Sequence, residues 1–400
     1  MKMKTGEFIA LSACTMMLTA LGIDIMLPVF GELREHFGLP EKSTATAQII
    51  VFFFMGQVAQ IIFGAMADRY GRLAILRIGF PLYIAAGVAA TFAPTLPLMY
   101  VARFFAGVGS SAVFMTTIAG VRDRFKGDEM ARVMSLILTI FLFTPVFAPF
   151  LGIAILNVAS WQVVFLTPPL FAAIVFVWSF RLEESLPKDK RAKINWGSFW
   201  SNIKHVSTNK IFARYTLITT LLFSVLSSWV ASSERIVGEI YKRPDLFSWI
   251  FAGIGAVMSF CSLMNSKLAK KFGARKTVKW SLLAYLIVGL VLLVSTLMMG
   301  DPPPMPVFFG GICLLMALNL AIEPNSSSIA LEPMGDTAGI AAAVYGTFFF
   351  FVGSGLGALM SHYLVDGVVS IVIGSVAFGA ISYWLVLTDR YASALNEGER

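Results

Sequence analysis

Charge is scarce in this chain. Only 14% of its 400 residues are Asp, Glu, Lys or Arg, while 57% are hydrophobic. A soluble globular protein carries about 25% charged residues, so this chain cannot solvate its own surface and reads as an integral membrane protein. Histidine is rarer still. His36, His205 and His362 stand far apart, at helix ends or in loops, which leaves no metal-ligand spacing and no expected metal. The three cysteines, Cys14, Cys261 and Cys313, lie within apolar runs, so no disulfide framework is implied. Leu11-Ser-Ala-Cys14 has the form of a lipoprotein cleavage site. The apolar stretch before it is too short for a signal-peptide core, and it reads as part of the first span. No phosphate-binding loop, nucleophile motif or soluble domain is present. That disfavours an enzyme and ATP-driven transport, and no cofactor is expected. The net charge of +8 is spread over alternate loops rather than gathered on one surface, so no nucleic-acid partner is expected.

What the chain has in abundance is apolar length. Twelve helices are predicted, numbered in chain order: Phe8–Phe30, Ala45–Ala67, Leu73–Phe92, Pro97–Gly120, Ala131–Leu156, Val163–Phe180, Phe212–Arg235, Leu246–Ala269, Thr277–Met299, Pro306–Ala330, Thr337–His362 and Gly367–Leu387. Each is close to the roughly 20 residues that cross a bilayer. The fold class is therefore an all-α membrane protein with twelve transmembrane helices. Of the 31 Lys and Arg, 25 fall in segments on one side and five on the other, Arg34, Lys42, Arg235, Lys242 and Arg243; Arg103 lies inside helix 4. The positive-inside rule then puts both termini in the cytoplasm, and the inner (cytoplasmic) membrane is the expected location. The longest polar segment, Arg181–Arg214, carries Trp196 and Trp200 and is expected to lie on the inner membrane surface.

That segment divides six helices from six, and the two sets echo each other. Asp68-Arg-Tyr-Gly71 aligns with Lys270-Lys-Phe-Gly273, and Gly127-Asp128 with Gly335-Asp336. In the second register Pro145 and Pro149 fall on Gly353 and Gly357. The expected organisation is two pseudo-symmetric six-helix bundles, residues 1–180 and 212–400, joined by a cytoplasmic linker, 181–211. Repeated halves in a helical membrane protein imply rocking about a central site. The second copy lacks the acid of the first, so the halves are not expected to be equivalent.

Between helices 2 and 3 stands Gly64-Ala-Met-Ala-Asp68-Arg69-Tyr-Gly71-Arg72. This G-x-x-x-D-R-x-G-R stretch resembles the signature loop of the major facilitator superfamily. Further stretches resemble its bicyclomycin/chloramphenicol-resistance branch of drug–proton antiporters. They are Asp24-Ile-Met-Leu-Pro28, Arg103-Phe-Phe-Ala-Gly107, Val121-Arg-Asp123-Arg-Phe125, Pro145-Val-Phe-Ala-Pro149-Phe-Leu-Gly152, Pro324-Asn325 and Ala330-Leu-Glu-Pro-Met-Gly335. The outer end of helix 7, Glu239-Ile-Tyr241 and Pro244-Asp-Leu-Phe-Ser248, is similar too. The chain departs from the pattern at Ala106, Ile153, Leu73, Ser233-Glu234-Arg235 and Glu323. The resemblance implies the major facilitator fold and proton-coupled efflux of small lipophilic or amphiphilic molecules by alternating access. The alternative is a proton-coupled transporter dedicated to one metabolite, which the extra charges Glu234, Arg235 and Glu323 favour. A monomer is expected, with a small-molecule substrate, protons and the lipid bilayer as its partners.

A charge inside a bilayer costs roughly 2.5–3.5 kcal/mol on insertion scales, so each one needs a partner, water or a task. Asp24, shortly before Pro28, is the expected proton carrier, or else a polar residue pairing with a loop. Arg103 is its expected switchable counter-charge, or a structural ion pair. Glu323 is a second proton or substrate group, or a carboxylate bonded to backbone loosened by Pro324. Glu234-Arg235 is expected to be a helix-end pair wetted from outside, with Glu234 as a candidate coupling residue. Gly64, Asp68, Arg69, Gly71, Arg72 and Asp123 are the expected gate: Asp68 near the N-terminus of helix 11, beside Asp336-Thr337, and Arg69 and Arg72 paired with Asp123, Asp128 or Glu129. Pro145, Pro149 and Gly152 should bend helix 5 and let it pack closely enough to seal the cavity. Aromatic surface is expected in that cavity, since 35 residues are Phe, but no particular ring is assigned.

Overall fold

Helix 1 shows how the chain resolves a break inside a membrane span. Its regular α-helix runs from Thr5 and ends at Asp24; a 3-10 turn over Leu27–Val29 follows, and Phe30–His36 completes the span. Pro28 lacks the N–H that would bond the Asp24 carbonyl, so the ladder fails there. The structure is a computed structural model that describes residues 3–40, 42–191, 196–364 and 367–389, and of Asp128, Ala131, Lys190, Trp196, Ser198, Ser266 and Asp336 the backbone alone. Lys193 and the C-terminal Arg390–Arg400, counted above among the cytoplasmic charges, lie outside the described residues, as does the Asp128 side chain proposed as a partner for the loop arginines.

Among the described residues twelve helices are long and apolar enough to span a membrane. Helices 1 to 6 are Thr5–His36, Ala45–Tyr70, Arg72–Thr91, Leu96–Arg124, Gly127–Leu156 and Trp161–Ser179. Helices 7 to 12 are Lys210–Ile240, Pro244–Phe272, Ala274–Met299, Met305–Gly335, Ala338–His362 and Val369–Leu387. Sequence reasoning placed all twelve but cut several short at their polar ends. Helix 4 runs on to Arg124, with Arg122 and Arg124 in its last turn, where cations favour the negative end of the helix dipole and long side chains reach water. Helices 3 and 9 start directly after Gly71 (φ +98°) and Gly273 (φ +80°), corresponding points of the two halves. A left-handed backbone with no room for a Cβ penalty explains why both turns keep glycine.

The two sets of six helices pack alike. Helix 5 lies on helix 1 as helix 11 lies on helix 7; helix 4 packs on 3 and 2 as helix 10 packs on 9 and 8; helix 6 covers 3 as helix 12 covers 9. These are two pseudo-symmetric six-helix bundles. Contact between the sets runs chiefly along helices 2 and 11 and along helices 5 and 8, which are symmetry equivalents of each other. Large apolar side chains such as Leu170, Ile174 and Val177 of helix 6, Val291, Leu297 and Met298 of helix 9, and Trp384 of helix 12 are exposed, as a lipid-facing rim requires. The connecting segment does more than lie on a surface. Its helix, Trp196–Thr208, buries Phe199 and Val206 and packs on helices 7 and 11, leaving Trp200 exposed.

Candidate transport site

The seam between the halves is filled at its middle by aromatic rings. Phe54 of helix 2 meets Phe223 of helix 7 edge-on at 5.2 Å and stacks with Phe350 of helix 11 at 6.1 Å. Phe349 lies 4.2 Å from Phe223 and stacks on Tyr345 at 5.9 Å. Helix 11 widens here into a π turn, Phe348–Val352, a local rewinding common at functional sites. The Tyr345 hydroxyl donates to Glu323 Oε1 at 3.0 Å. The next residue, Gly346, faces helix 2, where a Cβ would lie 2.5 Å from Gln60 Oε1. Gln60 in turn donates to Gln57 Oε1 at 3.1 Å, and Thr347 donates to the Val58 carbonyl at 3.3 Å. Glu323 thus sits under a tyrosine at the seam, bonded to side chains and with no ion pair among the described residues.

Asp24 is buried, with 5% of its surface exposed, at the point where helix 1 breaks. Among the described residues no hydrogen bond or ion pair reaches its carboxylate. Arg103 is close in the chain's packing but does not pair with it. The guanidinium donates to the Gly22 carbonyl at 2.6 Å and lies 4.5 Å over the Phe53 ring. A carbonyl and a π face are weaker partners than a carboxylate, so Arg103 is held against helix 1 without neutralising its acid. Arg103 thus meets helix 1 at Gly22, two residues before Asp24, and is not paired with it.

On the face opposite the chain ends, the Glu234-Arg235 expectation is corrected. Glu234 bonds Arg34 of the other half through both oxygens, at 3.0 and 3.1 Å. Arg34 also contacts Glu239, and Arg235 bonds Glu239 at 3.0 Å and the Leu364 carbonyl. The pair was read as local because the sequence sets them side by side. Neighbours on a helix point about 100° apart, so each finds a different partner.

On the face that carries the chain ends, Arg72 binds two acids of its own half, Asp68 at 2.5 Å and Asp123 at 3.0 Å. Asp68 is half exposed and bonded to Arg72, and Arg69 lies over the Tyr70 ring with no acid partner among the described residues. Glu184, from the segment after helix 6, accepts from the backbone N–H of Arg72 and of Leu73 at 2.9 and 3.2 Å. It caps the N-terminus of helix 3, where a carboxylate favours the exposed donors. Ser185 donates to Asp123 at 2.9 Å and Arg124 to the Glu183 carbonyl at 2.7 Å, so the segment latches onto the signature loop. The second half rebuilds this plan without the lost acid: Arg275 pairs with Glu332 at 2.8 Å and Asp389 at 3.3 Å. Gly64 faces the other half, its Cβ position 3.9 Å from the Ala343 Cβ.

Helix 5 touches both halves, with Pro145 and Pro149 inside it. A Cβ on Gly152 would overlap the Ile25 carbonyl of helix 1, one residue past Asp24. Across the seam Ser259 of helix 8 donates to the Leu142 carbonyl at 3.1 Å, and Gly255 lies against Pro145 and Val146. No group of three His, Cys, Asp or Glu among the described residues could hold a metal.

Residues 12–358 match the sequence profile of the Major Facilitator Superfamily. The chain belongs to that superfamily. Among relatives in this family it is 26% identical, over 90% of each chain, to a bicyclomycin resistance protein homolog of Haemophilus influenzae. It is 28% identical to the multidrug resistance protein MdtL of Shigella flexneri over 85% of each chain. The fold is similar to that of the human organic anion transporter MFSD10, with a TM-score of 0.73, 15% identity, and coverage of 96% of this chain and 100% of the other. It is equally similar to a D-xylose–proton symporter, with a TM-score of 0.73, 13% identity and 95% of each chain covered.

Within this superfamily plan, sequence reasoning missed Arg34, Glu184, Gln60 and Tyr345. Arg34 was counted only as a loop charge and Glu184 was not singled out, and their partners lie 200 and 112 positions away. Gln60 and Tyr345 carried one available signal, a polar side chain inside an apolar span, which obliges a partner.

Proposed function

We propose that this membrane protein exports small lipophilic or amphiphilic molecules in exchange for protons, acting as a monomer of two rocking bundles, residues 1–180 and 212–400, joined through 181–211. The observation that carries the reading is Asp24: a buried carboxyl with no bound cation, at a helix break, next to the close contact between helices 1 and 5. Such a group can take a proton from one compartment and release it to the other when the seam opens alternately. The relatives named for bicyclomycin and multidrug resistance support efflux as the direction. Arg103 is the counter-charge that approaches Asp24 in another conformation. Glu323 contributes a polar substrate contact under Tyr345, among the seam rings. The single-metabolite alternative drew on Glu234, Arg235 and Glu323. The first two are occupied by Arg34 and Glu239, which leaves Glu323 to favour it.

The test is a panel of unrelated lipophilic compounds offered to inverted vesicles under an imposed pH gradient. Accumulation of several of them is the expected result; accumulation of one polar metabolite alone selects the alternative, and none at all rejects export. The reading also places both termini and the segment after helix 6 in the cytoplasm. Cysteine at Lys188 should therefore be labelled from inside only, and cysteine at Lys42 from outside only. Labelling of both from outside intact cells contradicts that orientation.

The signature loop serves the cycle rather than the substrate in this reading, because Asp68 lies at the surface and acts through Arg72. Asp68→Asn is expected to slow maximal transport by about tenfold, the loss of ~1.4 kcal/mol in the barrier to opening, with substrate affinity within about twofold. A weakened affinity with an unchanged maximal rate would place Asp68 in substrate recognition instead.

A further inference from the structure

The four-charge cluster on the face opposite the chain ends is built across the seam, and its geometry assigns Arg34 a task. We propose that Arg34 is the positioning residue that holds this face shut, by clamping Glu234 and Glu239 of the other half, and that the clamp must release once in every transport cycle. The proposal rests on the alternating-access reading of the seam.

Its first support is local. Helix 7 rewinds into a π turn at Ile236–Ile240, where Tyr241 N–H bonds the Ile236 carbonyl five residues back. In an α-helix, residues five apart point roughly 140° away from each other. The wider π turn brings Glu234 and Glu239 to one side, where a single guanidinium meets both. Such turns recur where a side chain is re-aimed for function.

The second support is how the charges divide between the halves. Arg34 is the cation that the first half supplies to the cluster, and it also donates to Thr46 at 3.2 Å, within that half. Arg235 bonds Glu239 within the second. When the halves part, Arg34 keeps Thr46 and Glu239 keeps Arg235. Both Glu234 oxygens, now on Arg34, are released. Among the described residues the closed clamp joins two cations to two acids, and it is shielded: the Arg34 side chain is 6% exposed and Glu234 14%. A bidentate guanidinium–carboxylate pair needs one relative placement of its two planes. It therefore fixes where the halves meet as well as that they meet.

The test reads accessibility, which does not depend on knowing a substrate. Val230 lies one helical turn before Glu234 and in line with Phe223, on the helix 7 face that follows the seam. A cysteine there, in a chain whose Cys14, Cys261 and Cys313 are serine, is exposed to a membrane-impermeant maleimide in intact cells and in inverted vesicles. Arg34→Gln and Glu234→Gln are each expected to raise the alkylation rate at least tenfold from one side alone. The exchange variant Arg34→Glu with Glu234→Arg is expected to return it to within about threefold of the unmodified chain. A merely structural role for Arg34 would lower the folded yield without this one-sided opening and without rescue by the exchange. Equal rates in all variants, or an exchange variant as open as the single ones, overturns the clamp. Faster alkylation in a chain that moves no compound in the vesicle panel upholds the clamp and rejects the transport reading alone.

Discussion

Asp24→Asn is expected to yield a folded protein that still exchanges substrate downhill and no longer concentrates it. The side chain changes by one atom and remains buried, so packing at the helix break survives. What is lost is the exchangeable proton. The driving force it opens is about 2.3 kcal/mol per charge for each 100 mV, a concentration ratio of about fiftyfold for a neutral substrate exchanged against one proton. In inverted vesicles energised to 100 mV that ratio should fall to about one, while exchange of labelled for unlabelled substrate keeps at least about a third of its rate. Loss of both activities together would point to a structural role for Asp24. Retention of both would move coupling to Glu323, a seam carboxylate without an ion pair among the described residues.

The largest expected stability effect lies between helices 2 and 4. Gly56 and Gly107 bring the two backbones into direct contact: a Cβ on Gly56 would lie 2.8 Å from the Val108 nitrogen and overlap the Phe104 carbonyl, and one on Gly107 would overlap the Phe53 carbonyl. Those obstacles are backbone atoms, so no side chain can swing aside. Overpacking of this kind costs about 1–3 kcal/mol and sometimes more. Gly56→Leu and Gly107→Leu are each expected to lower the melting temperature by about 4 °C or to abolish a monodisperse product. Gly120 of the same helix has nothing within 4 Å of its Cβ position, so Gly120→Ala should melt within about 2 °C of the unmodified chain. Equal tolerance at Gly56 and Gly120 would contradict the close approach. The consequence is functional too, because Phe53 and Phe54 on this contact support Arg103 and the aromatic seam.

The fold was legible because a bilayer leaves few options. Every span had to be a helix of a certain length, and Lys and Arg marked the turns. The repeat legible in Asp68–Gly71 and Lys270–Gly273 is the one the packing obeys. The site was legible in part. Asp24, Arg103 and Glu323 stood out as charges in apolar runs; the first two are buried within the first half, and Glu323 lies under Tyr345. Their partners were not legible, because partner choice is tertiary. Arg103 looked like a counter-ion for a carboxylate and rests instead on a phenylalanine ring and a carbonyl. Glu234 and Arg235 looked like each other's partners and belong to Arg34 and Glu239. Asp68 looked like a contact to helix 11, while its partner was Arg72, four residues on at the start of helix 3. Arg34 was invisible as a functional residue for a simple reason: a lone arginine past the end of a span has the same sequence signature whether it meets water or an acid 200 residues away.

The central claim is that substrate leaves against a proton carried by helix 1. The most direct measurement is the pH change inside purified proteoliposomes when a substrate found by the vesicle panel is added outside, with no imposed gradient. The account predicts a substrate-dependent proton movement in the unmodified protein, opposite in direction to the substrate. It predicts none above empty liposomes for Asp24→Asn and a movement of at least half size for Glu323→Gln. Full proton movement in Asp24→Asn, with its loss in Glu323→Gln, would contradict the account and put the carrier on helix 10.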